Sequence, residues 1–209
     1  MRRAHRSPTV ITMNLPEQSP DQIKDEKKPT EQSPRGGLRQ SSRHVFELVL
    51  FAMLGTLMFC SKLIMEVLPN IHLLALFITV FTVTFRQKAL IPLYVFVFLT
   101  GLYGGFNLWW MPYLYIWTLL WAVIMLLPKR MPRGVAYVVY PIVCAIHGFL
   151  YGILYAPAQA LLFHLDFPQT VAWILSGLPF DIIHGVSNFF VAFLTIPLSD
   201  LLKKAIRGR

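Results

Sequence analysis

From residue 45 onward the chain is a succession of long apolar runs with almost no charge inside them, a pattern that leaves few folds open. Crossing about 30 Å of hydrocarbon takes a helix of about 20 apolar residues, because each residue advances the axis by about 1.5 Å. Six runs approach that length: 45–68, 71–85, 89–106, 113–127, 135–156 and 180–202. The second and fourth are short, and Asn70, Trp109, Trp110 and Pro112 extend them as interfacial residues. Backbone polar groups in lipid must be satisfied within the span, so the runs read as helices. The expected fold is an all-α membrane protein with six transmembrane helices over 45–209.

Composition agrees with that reading. The chain is 56% hydrophobic and 14% charged with a mean hydropathy of +0.56, whereas a soluble domain averages about a quarter charged residues. Residues 1–44 are the exception: they carry nine of the Lys/Arg and five of the Asp/Glu among Pro, Gln and Ser. With so little to bury, this segment is expected to be a disordered cytoplasmic tail. A secretory signal would place its apolar core directly after the basic start, and here the first long run begins only at Val45. The interrupted stretch 157–179, PAQALLFHLDFPQTVAWILSGLP, reads as a re-entrant or interfacial loop carrying one short helix.

The basic residues set an orientation. Arg86 and Lys88 fall between runs two and three, Lys129, Arg130 and Arg133 between four and five, and Lys203, Lys204, Arg207 and Arg209 after six. With the nine of the tail, 18 of the 19 Lys/Arg fall on one side. Both termini are then cytoplasmic in a multi-pass protein of the cell membrane. A net charge of +9 scattered among apolar runs forms no single basic face, so no nucleic-acid partner is expected. Cys60 and Cys144 lie within apolar runs and read as buried free thiols.

Ionisable residues inside spans are expensive and direct attention to function. Lys62, the nineteenth basic residue, lies roughly 25 Å along the first run, near the outer edge of the bilayer, with Glu66 one turn further on the same face. An ion pair that merely neutralises itself is the plainer alternative. In PFDIIHGVSNFF, Asp181, His184 and Asn188 stand at i, i+3 and i+7 and share a helical face. If Pro179 starts that helix, the three occupy roughly its first 14 Å, level with Lys62 and Glu66. Lys62 and Asp181, opposite in sign, are expected to pair in the empty site. GLYGGFNLWWMPYLYIW gathers Gly104, Gly105, Asn107, Trp109, Trp110 and Tyr113 at the same side, where rings to stack and an amide to orient would suit a flat polar ligand. An aromatic belt is the alternative for the Trp and Tyr residues. His147, about 18 Å into the fifth run, can reach the same pocket, and so can His72.

Enzyme signatures are missing from the sequence: no HExxH, no GxSxG and no phosphate loop with a Lys. The DxxH spacing of Asp181 and His184, with His147 and His72, is too little to define a metal site. Neither a metal nor any other cofactor is expected.

Six spans with both termini inside, a small-residue first helix and a polar cluster at the outer end of helices one and six resemble the substrate-binding S components of energy-coupling factor (ECF) transporters. The resemblance covers about 45–205 and is most specific in FAMLGTLMFCSKLIMEVLPNIHL and GLPFDIIHGVSNF. It implies capture of a vitamin or vitamin precursor from outside, and partnership with a T component and two ATPase subunits that supply the energy. It also implies a docking face for the T component on helix one at Ala52, Gly55 and Thr56, with Thr56 standing where the family shows a second small Ala. Arg2 follows Met1 where metal-importing members carry a His, which points to an organic substrate. Two other readings stay open: a structural six-helix membrane protein of the cell-shape-factor type, and an intramembrane hydrolase with His184 as base, Asp181 as its orienter and Ser61 or Ser187 as nucleophile.

Overall fold

The computed structural model of the chain describes residues 34–68 and 71–207, with side chains from His44 onward. Most of the tail, and Asn70, lie outside these residues. The chain divides into two units, Met1–Ser41 and Ser42–Arg209, of which the second holds every side chain described below.

Eight α-helices account for nearly all the described residues, and no strand occurs among them. They are α1 (Pro34–Ile64), α2 (Leu74–Phe85), α3 (Leu90–Gly104), α4 (Tyr113–Leu126), α5 (Arg133–Phe149), α6 (Tyr151–Phe163), α7 (Phe167–Val191) and α8 (Thr195–Arg207). Because α1 begins at Pro34, the change from polar to apolar sequence near residue 44 falls inside one helix. Five helical stretches are long and apolar enough to cross a membrane: His44–Val67, Leu74–Gly104, Leu108–Leu126, Arg133–Phe163 and Phe167–Arg207.

The second of these is not one straight rod. Arg86 has φ 57 and ψ −120, which ends α2, and the chain reverses there. His72, ahead of α2, meets Trp117 in α4, while Arg86, after α2, bonds Met125 near the end of α4. Tyr94 in α3 then donates to the Leu114 carbonyl at the start of α4, at 3.0 Å. So α2 runs alongside α4 in the same direction and α3 runs back against it. α1 follows α3 closely, with Glu47 paired to Lys88 at 2.6 Å, Gly55 against Pro92 and Val95, and Phe59 against Tyr103.

The short α2 is the centre of the bundle. A helix that is apolar all round is one that is buried all round, and Leu74, Ala75, Leu76, Ile78, Val80 and Phe81 are all in the core. Its two buried threonines return their hydroxyls to the helix backbone, Thr79 to Ala75 at 2.7 Å and Thr82 to Ile78 at 2.6 Å. Around it lie Phe51, Met58, Leu93, Phe96, Trp117, Leu120 and Cys144. Cys144 is buried, but Cys60 is exposed on the outward flank of α1.

Three expectations about the second half are corrected. The span expected over 135–156 lies within the Arg133–Phe163 stretch, which runs on past Ala156 and bends at Leu150, where the backbone turns to φ −92, ψ 2 between α5 and α6. The expected loop over 157–179 is instead the rest of α6, a tight turn at His164 and the first half of α7. Pro179 does not begin a helix but lies inside α7. The start of α7 is set by a capping box: the Gln169 N–H donates to the Asp166 carboxylate at 2.8 Å, and the Asp166 N–H to the Gln169 amide oxygen at 3.0 Å. Pro168 follows in the first turn, where its missing N–H costs nothing. An interior proline such as Pro179 is tolerated in apolar helices whose freed carbonyls find other partners.

α5 and α7 approach most closely through glycine. A Cβ on Gly148 would lie 2.7 Å from the Gly185 Cα, so only hydrogen fits at that crossing. Gly148 and Gly152 are spaced as the small residues of close-packed membrane helices are.

Candidate functional site: a buried cluster of histidines and aromatic rings

The turn before α2, the first half of α4, the α5–α6 junction and the middle of α7 meet at one end of the bundle. Each contributes a ring. Along α4, Tyr113 and Trp117 lie one turn apart and share a face, with ring centroids 5.9 Å apart. Across the α5–α6 break, His147, Tyr151 and Tyr155 continue at the same spacing. α7 adds His184 and the link before α2 adds His72.

These rings form a closed set. His72 meets His184 edge to face at 4.6 Å, and His184 meets Tyr151 at 4.9 Å. Trp117 lies 5.6 Å from Tyr151, 5.7 Å from His147 and 6.4 Å from His72. Trp117 is 1% exposed and His184 2%. The cluster continues outward through Tyr155, whose ring stacks on Trp173 of α7 at 5.7 Å and whose hydroxyl donates to the Trp109 carbonyl at 2.6 Å.

What sets the cluster apart from ordinary core is its unpaired polar atoms. The His72 Nδ1, His147 Nδ1, His184 Nε2 and Trp117 Nε1 atoms are all buried with no hydrogen-bond partner among the described residues. The other nitrogen of His147 is 3.1 Å from the Ile116 carbonyl and donates to it, which fixes the ring and leaves Nδ1 facing inward. Each unpaired buried group costs about 1–3 kcal/mol, and such a concentration in one place is unusual for a packed interior. His72, which precedes the helix, is lowered to about 4 by burial and by the nearby Lys62 ammonium. Its imidazole is therefore neutral at physiological pH. No three His, Cys, Asp or Glu side chains among the described residues are grouped to hold a metal ion.

Of the residues singled out in the sequence, His72, Tyr113, His147 and His184 come together here. Lys62 and Glu66 border the cluster as an i, i+4 pair with 3.9 Å between charged atoms, Lys62 the more covered of the two. The expected pairing of Lys62 with Asp181 does not occur. The Asp181 carboxylate instead accepts the Gly152 N–H, at 3.0 and 3.2 Å. Asn188 is buried one turn beyond His184 and donates to the Cys144 carbonyl at 3.3 Å, its Oδ1 unpaired. Trp109 sits at the rim, 5.8 Å from Tyr113.

Three other positions lie apart. Asn107 is exposed and donates to the Gly104 carbonyl of its own loop at 3.3 Å. Trp110 donates to the Val97 carbonyl at 2.8 Å and packs on α3. Gly55 does not share an outward face with the exposed Ala52 and Thr56, because it is buried against α3. Ser61 and Ser187 both donate to backbone carbonyls of α1 and α7, at 2.7 and 3.0 Å.

Trp117, Tyr151, Tyr155 and Trp173 were not anticipated. A signal for them existed, since 109, 113 and 117, and 147, 151 and 155, are two rows of rings at helical spacing. Nothing local tells such a row from core or belt until the opposing row is seen to face it.

No protein-family model, curated protein or solved structure matches the chain.

Proposed function

We propose that the chain is the substrate-binding S component of an ECF-type importer, and that the histidine and aromatic cluster takes a vitamin or vitamin precursor from outside the cell. The observation that carries this reading is the set of unpaired buried nitrogens on His72, His147, His184 and Trp117. A flat heterocycle bearing both donors and acceptors would satisfy them while stacking among the rings, which repays a cost that a purely structural core has no reason to bear. The reversal at Arg86 supports six crossings: α1, α2, α3, α4, α5 with α6, and α7 with α8. The cluster then opens toward the outside, and the basic ends of the helices and both termini lie in the cytoplasm of a cell-membrane protein. The T component and two ATPase subunits would supply ATP hydrolysis, the former docking on the outward face of α1 around Ala52 and Thr56.

Mass spectrometry of ligand extracted from the purified chain tests this, with Trp117→Phe and His184→Gln as variants. Both variants should lose co-purified ligand, and Trp117→Phe should still fold, because it removes the unpaired N–H and keeps a six-membered aromatic ring, at the cost of part of a buried indole. Full ligand occupancy in both variants, or no small molecule in any preparation, would return the cluster to the role of core.

A further inference from the structure

At the opposite end of the bundle, the α2–α3 reversal and the end of α4 border a second polar feature, open to the surface. A cavity of about 350 Å³ is lined by Phe85, Arg86, Gln87, Lys88, Met125 and Lys129. Its cations are fixed to different degrees. The guanidinium of Arg86 is held by one of its five donors, Nη2, which bonds the Met125 carbonyl at 2.8 Å, while the Arg86 carbonyl accepts from Trp121 Nε1 at 3.2 Å. These bonds hold Arg86 at φ 57, a conformation costly for a residue with a side chain. Its Nε remains buried and unpaired. Lys88 pairs with Glu47 at 2.6 Å, and Lys129 is exposed with no ion pair among the described residues. Among the described residues, three cations against one carboxylate leave the cavity positive.

We propose that this cavity binds the phosphate of an anionic phospholipid in the adjacent leaflet. The surroundings favour a lipid over a soluble anion. Phe85 and Met125 give the cavity an apolar wall, and one turn beyond Lys88 the exposed side chains of Ile91, Tyr94 and Phe98 begin an outward apolar flank of α3 along which acyl chains can lie. Basic pockets between helices at a membrane surface take anionic headgroups in this manner. The proposal needs the chain to span a membrane and is independent of the transporter reading.

The test uses the full-length chain in detergent, titrated with short-chain phosphatidylglycerol, short-chain phosphatidylcholine and inorganic phosphate, with bound lipid read by native mass spectrometry. Phosphatidylglycerol should bind at least tenfold tighter than phosphatidylcholine. Lys129→Gln should weaken it about fivefold, the factor expected for one basic residue at a membrane surface, and Arg86→Gln should weaken it further. Lys204→Gln, on the exposed basic turn of α8, should leave it unchanged. Lys129 is exposed and makes no ion pair among the described residues, so its variant keeps the test valid even where Arg86→Gln misfolds. Equal binding of the two lipids, or wild-type binding by Lys129→Gln, overturns the proposal. Displacement of phosphatidylglycerol by equimolar inorganic phosphate would reassign the cavity to a soluble anion.

Discussion

The Asp181 carboxylate, in the middle of α7, accepts the backbone N–H of Gly152 in the first turn of α6 through both oxygens, at 3.0 and 3.2 Å. The break at Leu150 creates that need, since the first N–H groups of a new helix have no partner within it. A side chain from a neighbouring helix thus does the work of an N-cap, and its charge meets the positive end of the α6 dipole. Gly152 permits the approach because a Cβ there would collide with the carboxylate. His184, one turn after Asp181, is thereby held against Tyr151.

Asp181→Ala should therefore lower stability by about 1–2 kcal/mol, the usual loss for a helix cap. Asp181→Asn, which keeps an accepting oxygen, should lose less. Thermal unfolding in detergent checks both; a wild-type melting temperature for Asp181→Ala would deny the cap any structural role.

Bulk on α1 should separate two functions. At Gly55 a Cβ would already lie 2.6 Å from Val95 and 2.7 Å from the Pro92 carbonyl, so Gly55→Leu should loosen α1 from α3 and lower the melting temperature. Ala52 is exposed, so Ala52→Leu should melt like the wild type and, if the proposed transporter role holds, fail only in co-purification with a T component. A stable Gly55→Leu would show that α1 shifts freely on α3.

Acid should destabilise the protein through His72. Its folded-state value of about 4 is below the unfolded 6.5, so the unfolded chain binds the proton first as pH falls. The stability that depends on neutral His72 is complete above about pH 6.5 and is lost on descending toward 4. Melting temperatures recorded across that window should fall less steeply in His72→Gln than in the wild type. Parallel curves for the two proteins would place the acid response elsewhere.

Single cysteines in a background lacking Cys60 and Cys144 should report the orientation. A thiol at His164, in the turn between α6 and α7, should react with an impermeant reagent added to intact cells, and one at Lys129 only after the membrane is opened. The reverse pattern would invert the bundle and move the ring cluster to the cytoplasmic side.

Much of this architecture was legible in the chain. Apolar length alone marks helices able to cross a membrane, because transfer of a backbone to lipid is permitted only when its hydrogen bonds close locally. The i, i+3, i+7 spacing puts Asp181, His184 and Asn188 on one face, and all three are buried. The end of one helix and the start of another were harder to read. Pro179 looked like a start and is interior, whereas Asp166 and Gln169, separated by two residues, carried the true signal in a stretch that resembled a loop. Helix ends set by capping are local and can be read; the partner that the break at Leu150 leaves Gly152 to find is a carboxylate 29 residues from that glycine, and cannot.

The sequence by itself determined the helical class, the apolar spans, the uneven placement of charge and which faces carry polar groups, since periodicity and transfer energy act over a few turns. Only the tertiary structure decided partners. It turned Asp181 to Gly152 and not to Lys62, buried Gly55 against α3, and brought His72, Trp117, His147, Tyr151 and His184 together from four separate parts of the chain. The reason is physical: a buried polar group takes whichever partner the packing of distant helices brings within about 3 Å, and that distance is not encoded in the spacing of residues along any one of them.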